Sequence, residues 1–437
     1  MPFDVGFTGR MHIPILNGMG DTKAKSGVES SSSGGNIPAA YPSLLRGFHN
    51  PASPIELRQW DGSPRGPGVY FDPVPPSSPS FLSIPPREEG PGIIRLPFDP
   101  ERTLASLVYE RGMDRARPLY TWLPFESRRL PSILRDAILR FSVRRRLRNR
   151  DAFPRWPAEP VVEGIRALVM DAARRVSPAF QPAPFWPDGK KYAAALTHDV
   201  DSDEAWKKGY WREFADIEEA HGLRSSWHVC SIHMLRWERD LEELARRGHE
   251  IAWHGPRHDY RIAFMTPAEL AATLADGKPL MDRFGIRGFR SPNYLRTTRL
   301  YEGLAGTLGY DSSTMDTAAE PLSPTARTGC CTVFPFFRGD LLVIPLTLPD
   351  ALTIRCLTGD DAGAISAVQL AKLEWIKGVG GLVFAITHPE AWISMRKGSF
   401  GAYRKLVERL AADNEAWKAL PRSIEEWWRA RFAKEAA

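Results

Sequence analysis

The order of apolar and polar residues changes along the chain, and from Tyr192 onward short apolar runs alternate with stretches of helical period. The apolar runs predict six strands, which are Ala193–Thr197, Ser225–Val229, Glu250–Trp253, Gly288–Arg290, Leu341–Ile344 and Leu382–Thr387. Helices are predicted between several of them, at Glu204–Ala220, Asp240–Arg246, Pro267–Phe284 and Thr298–Leu308. Because strand–helix alternation produces parallel strands with right-handed crossovers, we expect an α/β fold, either a barrel or an open sheet.

The part of the chain before this alternation has a different pattern. Residues 1–95 are rich in Pro, Ser and Gly and show no apolar period, which predicts an irregular or disordered arm. Residues 96–185 show helical spacing, first around Leu104 and again from Ile133 to Phe141. We therefore expect three parts: the arm of residues 1–95, a small helical region of residues 96–185, and an α/β domain of residues 186–437 on which the helical region packs.

The composition restricts the class of protein. A chain of 437 residues with 43% hydrophobic and 25% charged residues is typical of a soluble globular protein with a large core. Its four cysteines lack zinc-ribbon spacing and are too few for a disulfide scaffold. No apolar run approaches the ~20 residues that span a bilayer, and the start lacks the basic stretch and apolar core of a secretory signal. We expect a cytoplasmic protein.

The formal net charge of +6 comes from one region. Residues 101–150 contain 13 Lys and Arg against 5 Asp and Glu, whereas the rest of the chain is nearly balanced. The basic residues concentrate in the Arg128–Arg150 stretch, which could contact acidic lipid or the acidic face of a protein partner. A solvated helix face is the favoured interpretation, and we expect no nucleic-acid partner.

Polar residues cluster directly after four of the predicted strands. These clusters are Thr197–Asp201, His249–His258, Phe289–Tyr294 and Ala385–Pro389. In α/β folds, ligands bind where the carboxyl ends of the strands meet. The sequence therefore predicts that the four clusters form one site.

Within these clusters, His254 and His258 provide two imidazoles, and the Asp199/Asp201 pair provides a carboxylate. Two histidines and one carboxylate form a divalent-metal site with open positions. A zincin needs His-Glu-x-x-His on a helix, but Gly255-Pro256 prevents a helix between these two histidines. Non-haem iron oxygenases use the same ligands on an all-β scaffold, and solvated loop histidines are the remaining alternative. We predict one divalent metal, with Zn²⁺ preferred over Co²⁺, Ni²⁺ or Mn²⁺.

The spacing of Asp199 and Asp201 indicates a shared task. Separated by one residue in a strand, both side chains point the same way. A metal beside one and Arg290 beside the other would leave the second carboxylate ionised and basic. It could then take a proton from water, whose pKa falls towards ~7 on zinc. His388, at the end of the last strand, is a candidate general acid for a leaving amine.

Taken together, these motifs resemble the polysaccharide deacetylase family, the NodB-homology domain of carbohydrate esterases. The resemblance covers about residues 190 to 395, and the motifs appear in the family's order: Thr197–Asp201, Gly248–His258, Gly288–Pro292 and Thr387–Pro389. It implies a distorted (β/α) barrel with about seven strands. It also implies a metal-dependent hydrolase that removes an N-acetyl group from an amino sugar by means of metal-activated water.

The resemblance further implies roles for individual residues. Asp199 would be the catalytic base, oriented by Arg290, and His388 would be the acid. A backbone amide beside Tyr294 would help to hold the oxyanion. The metal ligands would be Asp201, His254 and His258.

Several positions depart from the family pattern or are left open. Val200 separates the two aspartates, which leaves the division of base and ligand between them open. His198 stands where an aromatic is usual and either hydrogen-bonds a site residue or only packs. His228 is either a pocket residue or a hydrogen-bonded core histidine. The residues that complete the predicted substrate region are His198, Pro292 and Trp253. Asp311 and Asp350 are equal candidates for the family's fourth motif, whose carboxylate would shape the substrate wall and tune the acid histidine.

Two other functions are compatible with such a chain. One is a metal-independent hydrolase of cyclic amides on the same fold, against which the intact set of metal ligands argues. The other is a non-catalytic carbohydrate-binding or scaffold protein, for which a general base would have no use. We therefore expect an N-acetylated sugar substrate, and a cytoplasmic location would favour a soluble or lipid-linked sugar precursor.

Overall fold

The computed structural model describes residues 57–64, 66–73, 84–110, 114, 137–141, 143–144, 153–180, 185–317 and 329–436. Most of the predicted arm, and most of the Arg128–Arg150 stretch, lie outside these residues. In the described part of that stretch, Arg140 and Arg144 are exposed. Contact of this stretch with a membrane or a protein stays a prediction. None of the helices in the described ranges is both long and apolar enough to cross a bilayer.

A small four-stranded sheet forms within the region predicted to be irregular. Its strands are β1 (Leu57–Gln59), β2 (Gly68–Phe71), β3 (Arg87–Gly90) and β4 (Ile93–Leu96), in the order β1-β2-β4-β3. Val69 and Ile94 are paired across β2 and β4, and both are buried. The prediction of irregular chain is therefore wrong for these residues. Strands of three or four residues are too short to show a period, and burial on neighbouring helices stabilises them.

Among the described residues that follow this sheet are the helices α1 (Pro100–Val108) and α2 (Val161–Val176). Asp99 caps α1 by accepting a hydrogen bond from the Arg102 amide at 3.0 Å. The apolar side chains of α1, α2 and the small sheet belong to the same continuous hydrophobic core as the main domain. The N-terminal region therefore folds onto that domain through a shared core.

A further helical segment lies within the predicted Ile133–Phe141 pattern. At residues 137–141 and 143–144 the backbone is helical. Ile138 and Phe141 of this pattern are 39% and 66% exposed, whereas Leu139 and Val143 are buried against Cys356. The buried stripe of the segment therefore consists of Leu139 and Val143, which lie four residues apart on one helix face.

Nine strands form the main sheet. They are β5 (Tyr192–Val200), β6 (Ser225–Val229), β7 (Glu250–Trp253), β8 (Gly288–Phe289), β9 (Tyr310–Asp311), β10 (Phe336–Arg338), β11 (Leu341–Val343), β12 (Leu382–Thr387) and β13 (Ala416–Lys418). Their order is β10-β11-β9-β8-β7-β6-β5-β12, with β13 also paired to β5. Seven successive strands from β11 to β12 are parallel, and β10 is antiparallel to β11. The predicted α/β class and the distorted barrel of about seven strands are confirmed.

The two edges of this curled sheet are joined by loops. The Leu348 amide donates to the Phe384 carbonyl at 3.2 Å, and the Leu382 amide donates to the Val333 carbonyl at 2.8 Å. Between β11 and β12, single hydrogen bonds of this kind take the place of regular strand pairing. The barrel is distorted because it is closed here by loops instead of by paired strands.

Ten helices follow or precede the strands of this sheet in the described residues. They are α3 (Glu204–Lys207), α4 (Tyr210–Ala220), α5 (Ser231–Arg236), α6 (Glu238–Arg246), α7 (Pro267–Phe284), α8 (Thr298–Leu304), α9 (Ala351–Thr358), α10 (Ala362–Val379), α11 (Lys397–Ala412) and α12 (Pro421–Ala436). Helix α7 has the predicted bounds because Thr266 and Glu269 form a capping box at its start and Gly285, with φ of 59°, ends it. The predicted helix Glu204–Ala220 is divided into α3 and α4 by Gly209, whose φ is 72°.

Candidate active site

The three predicted metal ligands converge at the carboxyl end of the parallel strands. Asp201 follows β5, and His254 and His258 lie in the loop after β7. The Oδ1 atom of Asp201 is 3.3 Å from Nε2 of His254 and 3.3 Å from Nε2 of His258. Across the described ranges, this is the one group of three His, Cys, Asp or Glu residues whose ligand atoms come together in this way.

The chemistry of these donors fits a divalent transition metal. Nδ1 of His254 donates to the carbonyl oxygen of Arg290 at 2.8 Å, which fixes the ring and directs Nε2 towards Asp201. That Nε2 atom is buried and has no hydrogen-bond partner among the described residues. Burial acts to lower the pKa of His254, but the carboxylates of Asp199 and Asp201 outweigh it and raise the pKa. The pocket thus has a negative potential and an available nitrogen, and both favour a cation.

A buried ion pair lies beside the ligands. Nη1 of Arg290 donates to Oδ1 of Asp199 at 2.6 Å, Nη2 donates to Oγ1 of Thr197 at 3.1 Å, and Nε donates to the Ser312 carbonyl at 3.1 Å. Three hydrogen bonds fix the guanidinium, and one of them fixes Oδ1 of Asp199. The other carboxylate oxygen, Oδ2, lies 3.9 Å from Nε2 of His254. Asp199 therefore lies beside the cluster with one oxygen held by Arg290, and Asp201 lies within the cluster.

His388 directly follows β12 at the carboxyl end of the sheet. Thr387 pairs with His198 of β5, so His388 and Asp199 are the next residues along two neighbouring chain segments. Ser394 holds the loop: its hydroxyl accepts from the His388 amide at 3.0 Å, and its amide donates to the His388 carbonyl at 3.3 Å. Nδ1 of His388 is buried and has no hydrogen-bond partner in the part of the chain that the structure describes.

A tight turn, Pro292–Tyr294, packs on the ligand loop. Asn293 and Tyr294 both have φ of 54°, a left-handed conformation that such residues adopt only where the surroundings impose it. The Pro292 ring lies 3.7 Å from the position that a Cβ atom on Gly255 would occupy. The Tyr294 amide is used within the turn, where it donates to the Ser291 carbonyl at 2.9 Å. The oxyanion donor expected beside Tyr294 stays a prediction.

His198 lies on the opposite face of β5 from the site. Its Nδ1 is hydrogen-bonded to Oγ1 of Thr387 at 2.6 Å, and its Nε2 to Oε1 of Glu218 on α4 at 2.7 Å. Tyr403 of α11 also donates to Glu218, so the ring is enclosed between the sheet and two helices. Placing His198 in the substrate region is therefore corrected. Neighbouring residues of a strand face opposite sides, and Asp199 occupies the inner side.

The same alternation places Trp253 and Asp311 on the helix side of the sheet. Trp253 pairs with Phe289, and Phe289 with Asp311, so the three side chains share the face opposite to the metal ligands. Trp253 donates from Nε1 to Oγ of Ser231 at 2.9 Å. Asp311 accepts from the amide and the hydroxyl of Ser313, and burial raises its pKa to about 6. The structure corrects the prediction that Trp253 and Asp311 border the substrate.

Asp350, the other candidate for the fourth motif, caps a helix. Its Oδ1 accepts a hydrogen bond from the Thr353 amide at 2.6 Å, at the start of α9. Neither Asp350 nor Asp311 is hydrogen-bonded to His388 in the described residues. The predicted carboxylate partner of the acid is therefore found at neither position.

The structure also brings in residues that sequence reasoning missed or left undecided. His228 of β6 is fully buried, with Nε2 3.3 Å from Oγ of Ser312, as in a hydrogen-bonded core histidine, and with Nδ1 3.8 Å from Oδ1 of Asp199, which places the ring next to the site. Thr197 and Ser312 were missed, although both hold Arg290. The alternation along β5 was the available signal, because Thr197 shares the inner face with Asp199.

Two hydrogen-bonded contacts hold the loop that carries Asp201. Ser202 donates to the buried carboxylate of Glu390 at 2.6 Å, which joins this loop to the one that carries His388. Asp203 accepts from Nδ1 of His233 and from Nε1 of Trp237, each at 2.9 Å. Although burial opposes it, these donors and nearby basic groups hold the pKa of Asp203 well below its usual range. The ligand loop is thus anchored on both sides.

Comparison with known proteins gives similar solved structures only. No family model and no curated protein matches the chain. A Mycobacterium smegmatis structure assigned as a polysaccharide deacetylase is 22% identical, covering 56% of this chain and 93% of its own, with a TM-score of 0.44. One from Pseudomonas aeruginosa PAO1, also assigned as a polysaccharide deacetylase, is 16% identical, covering 58% and 95%, with a TM-score of 0.46. A Puue allantoinase is 15% identical, covering 58% and 95%, with a TM-score of 0.45.

These similar structures thus include proteins assigned to the family whose motifs the sequence resembles.

Proposed function

We propose that this protein is a metal-dependent hydrolase of the polysaccharide deacetylase type, which removes the acetyl group from an N-acetylated amino sugar. One observation carries the proposal: Asp201, His254 and His258 meet at one point, beside an Asp199 carboxylate that Arg290 fixes. The similar solved structures that are assigned as polysaccharide deacetylases agree with this choice of substrate class.

Asp201, His254 and His258 would hold the divalent ion. When bound, such an ion supplies a Lewis acid that polarises a carbonyl oxygen and lowers the pKa of water. The hydrogen bond from His254 to the Arg290 carbonyl keeps the coordinating nitrogen directed at the site. The three ligand side chains therefore already lie close enough together to hold one ion, and no movement of the strands is needed for binding.

Asp199 would act as the general base. Its Oδ1 is held by Arg290, so Oδ2 is the oxygen available to take a proton from the attacking water. Because Arg290 is completely buried, its charge compensates that of Asp199 without competition from solvent. Water then adds to the acetyl carbonyl, and the proton stays on the Asp199 carboxyl.

His388 would act as the general acid. Its location directly after β12, which pairs with the strand that carries Asp199, supports a role in giving a proton to the amide nitrogen of the substrate. Transfer of that proton lets the carbon–nitrogen bond break, which yields acetate and a free amine on the sugar. Ser394, which binds both backbone groups of His388, holds the loop for this step.

Metal analysis and acetate release test the proposal. The purified protein, loaded with Zn²⁺ or Co²⁺, should bind about one ion per chain and release acetate from N-acetylglucosamine oligomers. Asp199→Asn should keep the metal and lose activity by at least about 10²-fold, the usual contribution of a general base. His254→Ala should lose both the metal and the activity.

His221→Ala is the matched control for the histidine variant. His221 is exposed, and its ring is bonded only to the Ile217 carbonyl of its own helix, so metal and activity should be unchanged. Opening of a cyclic amide by the metal-free protein would favour the metal-independent alternative. Sugar binding with no turnover would favour the binding protein. Full activity of Asp199→Asn would overturn the proposed mechanism.

A further inference from the structure

The inner wall of the barrel behind Asp199 contains a second buried imidazole, that of His228. Asp199 and His228 are paired in the register of β5 and β6, so their side chains lie side by side on the same face. Nδ1 of His228 is 3.8 Å from Oδ1 of Asp199, the oxygen that Arg290 also contacts. Among the described residues, this Nδ1 has no hydrogen-bond partner, and the side chain is completely buried.

The surroundings of the ring keep it neutral. Burial, together with the positive charge of Arg290 and the nearby His254 and His198, lowers the pKa of His228 well below its ordinary value. A neutral imidazole has one N–H group, on either Nδ1 or Nε2. The position of this proton decides whether Nδ1 of His228 faces Asp199 with an N–H donor or with a lone pair.

Ser312 is the partner of the other ring nitrogen. Its Oγ lies 3.3 Å from Nε2 of His228, and its hydroxyl donates to the carbonyl oxygen of Phe289 at 3.2 Å. That carbonyl also accepts from the Ser312 amide at 2.8 Å, so the hydroxyl can turn to Nε2 without leaving the carbonyl oxygen unpaired. If Nε2 carried the proton, a lone pair on Nδ1 would face the negative oxygen of Asp199 inside the barrel, which is unfavourable in a buried site. If Ser312 donates to Nε2, the proton on Nδ1 is directed at Asp199.

We propose that His228 is a positioning residue that donates from Nδ1 to Oδ1 of Asp199 and, with Arg290, fixes the carboxylate so that Oδ2 faces the substrate. The inference rests on the proposed function, since it takes Asp199 to be the base. The distance of 3.8 Å shortens to hydrogen-bond length with a shift of about 1 Å. Contacts of this kind are commonly long in an empty site and tighten when the substrate binds.

Isosteric variants separate the two ring nitrogens. His228→Asn places an N–H group near the position of Nδ1, whereas His228→Gln places its amide near Nε2 and can keep the contact with Ser312. We expect His228→Phe and His228→Gln to lose 10- to 100-fold in kcat, the effect of one hydrogen bond to a charged group, with KM unchanged. His228→Asn should retain kcat within about threefold of the native value.

A readout independent of turnover is the ¹⁵N NMR spectrum of histidine-labelled protein, in which the signal of His228 is the one lost in His228→Asn. We expect the shift of a protonated nitrogen at Nδ1 and of an unprotonated nitrogen at Nε2. A proton on Nε2, or recovery of kcat by Gln instead of Asn, would overturn the proposal. If His228→Phe does not fold, the Asn and Gln pair and the native spectrum still decide.

The two proposals fail in different ways. Native protein that binds metal but releases no acetate contradicts the proposed function, and the NMR experiment still reports the tautomer. Native activity that depends on Asp199, with equal kcat in the Asn and Gln variants, contradicts only the role of His228.

Discussion

Replacing Arg290 by Met tests the buried ion pair that organises the site. Methionine fills similar space but leaves Asp199, which is 1% exposed, as a buried carboxylate without its cation. Removing one partner of such a pair costs about 3–5 kcal/mol. At ~2–4 °C per kcal/mol for a domain of this size, the melting temperature of the metal-free protein should fall by roughly 6–20 °C. Activity should fall as well, because Asp199 and the carbonyl that orients His254 lose their fixed positions.

Thermal unfolding followed by circular dichroism measures the first effect, and acetate release with added Zn²⁺ measures the second. Arg283→Met is the matched control, because Arg283 is 47% exposed and its ion pairs are with surface glutamates, which solvent screens. Arg290→Lys should lie between the two, since it keeps the charge but not all three hydrogen bonds. If Arg290→Met unfolds at the temperature of Arg283→Met and stays fully active, the pair does not organise the site.

Three further changes test other parts of the structure. Burial, which outweighs the hydrogen bonds from Tyr310 and a backbone amide, raises the pKa of Glu250 to about 7, above its ordinary 4.5. The contribution of Glu250 to stability is therefore full below pH 4.5 and is lost as the pH rises through 7. Glu250→Gln should remove this slope, worth about 3 kcal/mol, when free energies of unfolding at pH 5 and pH 8 are compared; an unchanged slope would contradict the assignment. Gly288→Ala should destabilise the protein by at least about 1–3 kcal/mol, because the new Cβ would lie 1.9 Å from the Tyr310 ring. Gly378→Ala is the control: it has open space around it and should be neutral or slightly stabilising in the same thermal unfolding experiment. His198→Ala should lower stability by about 1–3 kcal/mol yet leave metal stoichiometry unchanged, and loss of the metal would return His198 to the site.

The sequence pattern identifies the long elements of the barrel and misses the short ones. Helix α7 is predictable to the residue because its first turn carries its own cap, and β12 is predictable because it is a continuous apolar run. The strands β9, β10 and β13 have two or three residues each, and no period can be read from so few positions. They form because neighbouring strands and helices bury them, and that contribution depends on the tertiary structure.

The site shows a similar division. The residue types at the strand ends suffice to bring Asp201, His254 and His258 together, because parallel strands deliver their ends to one edge. The face of the strand on which a neighbouring side chain lies is a separate prediction, which follows from the pleat. The alternation that places Asp199 and Asp201 on one face of the strand also places His198 on the other face, outside the cleft.

The N-terminal region supplies partners to charges inside the main domain, and this determines where the chain can be shortened. Arg296, just after the Pro292–Tyr294 turn, donates to the carboxylate of Glu110, and the Lys372 ammonium donates to the carbonyl of Pro157. A chain that began at residue 186 would lose both acceptors and leave two cations with fewer partners in an apolar interior. We therefore expect a stable fragment of this protein to include α1 and the segment around Pro157 in addition to the barrel.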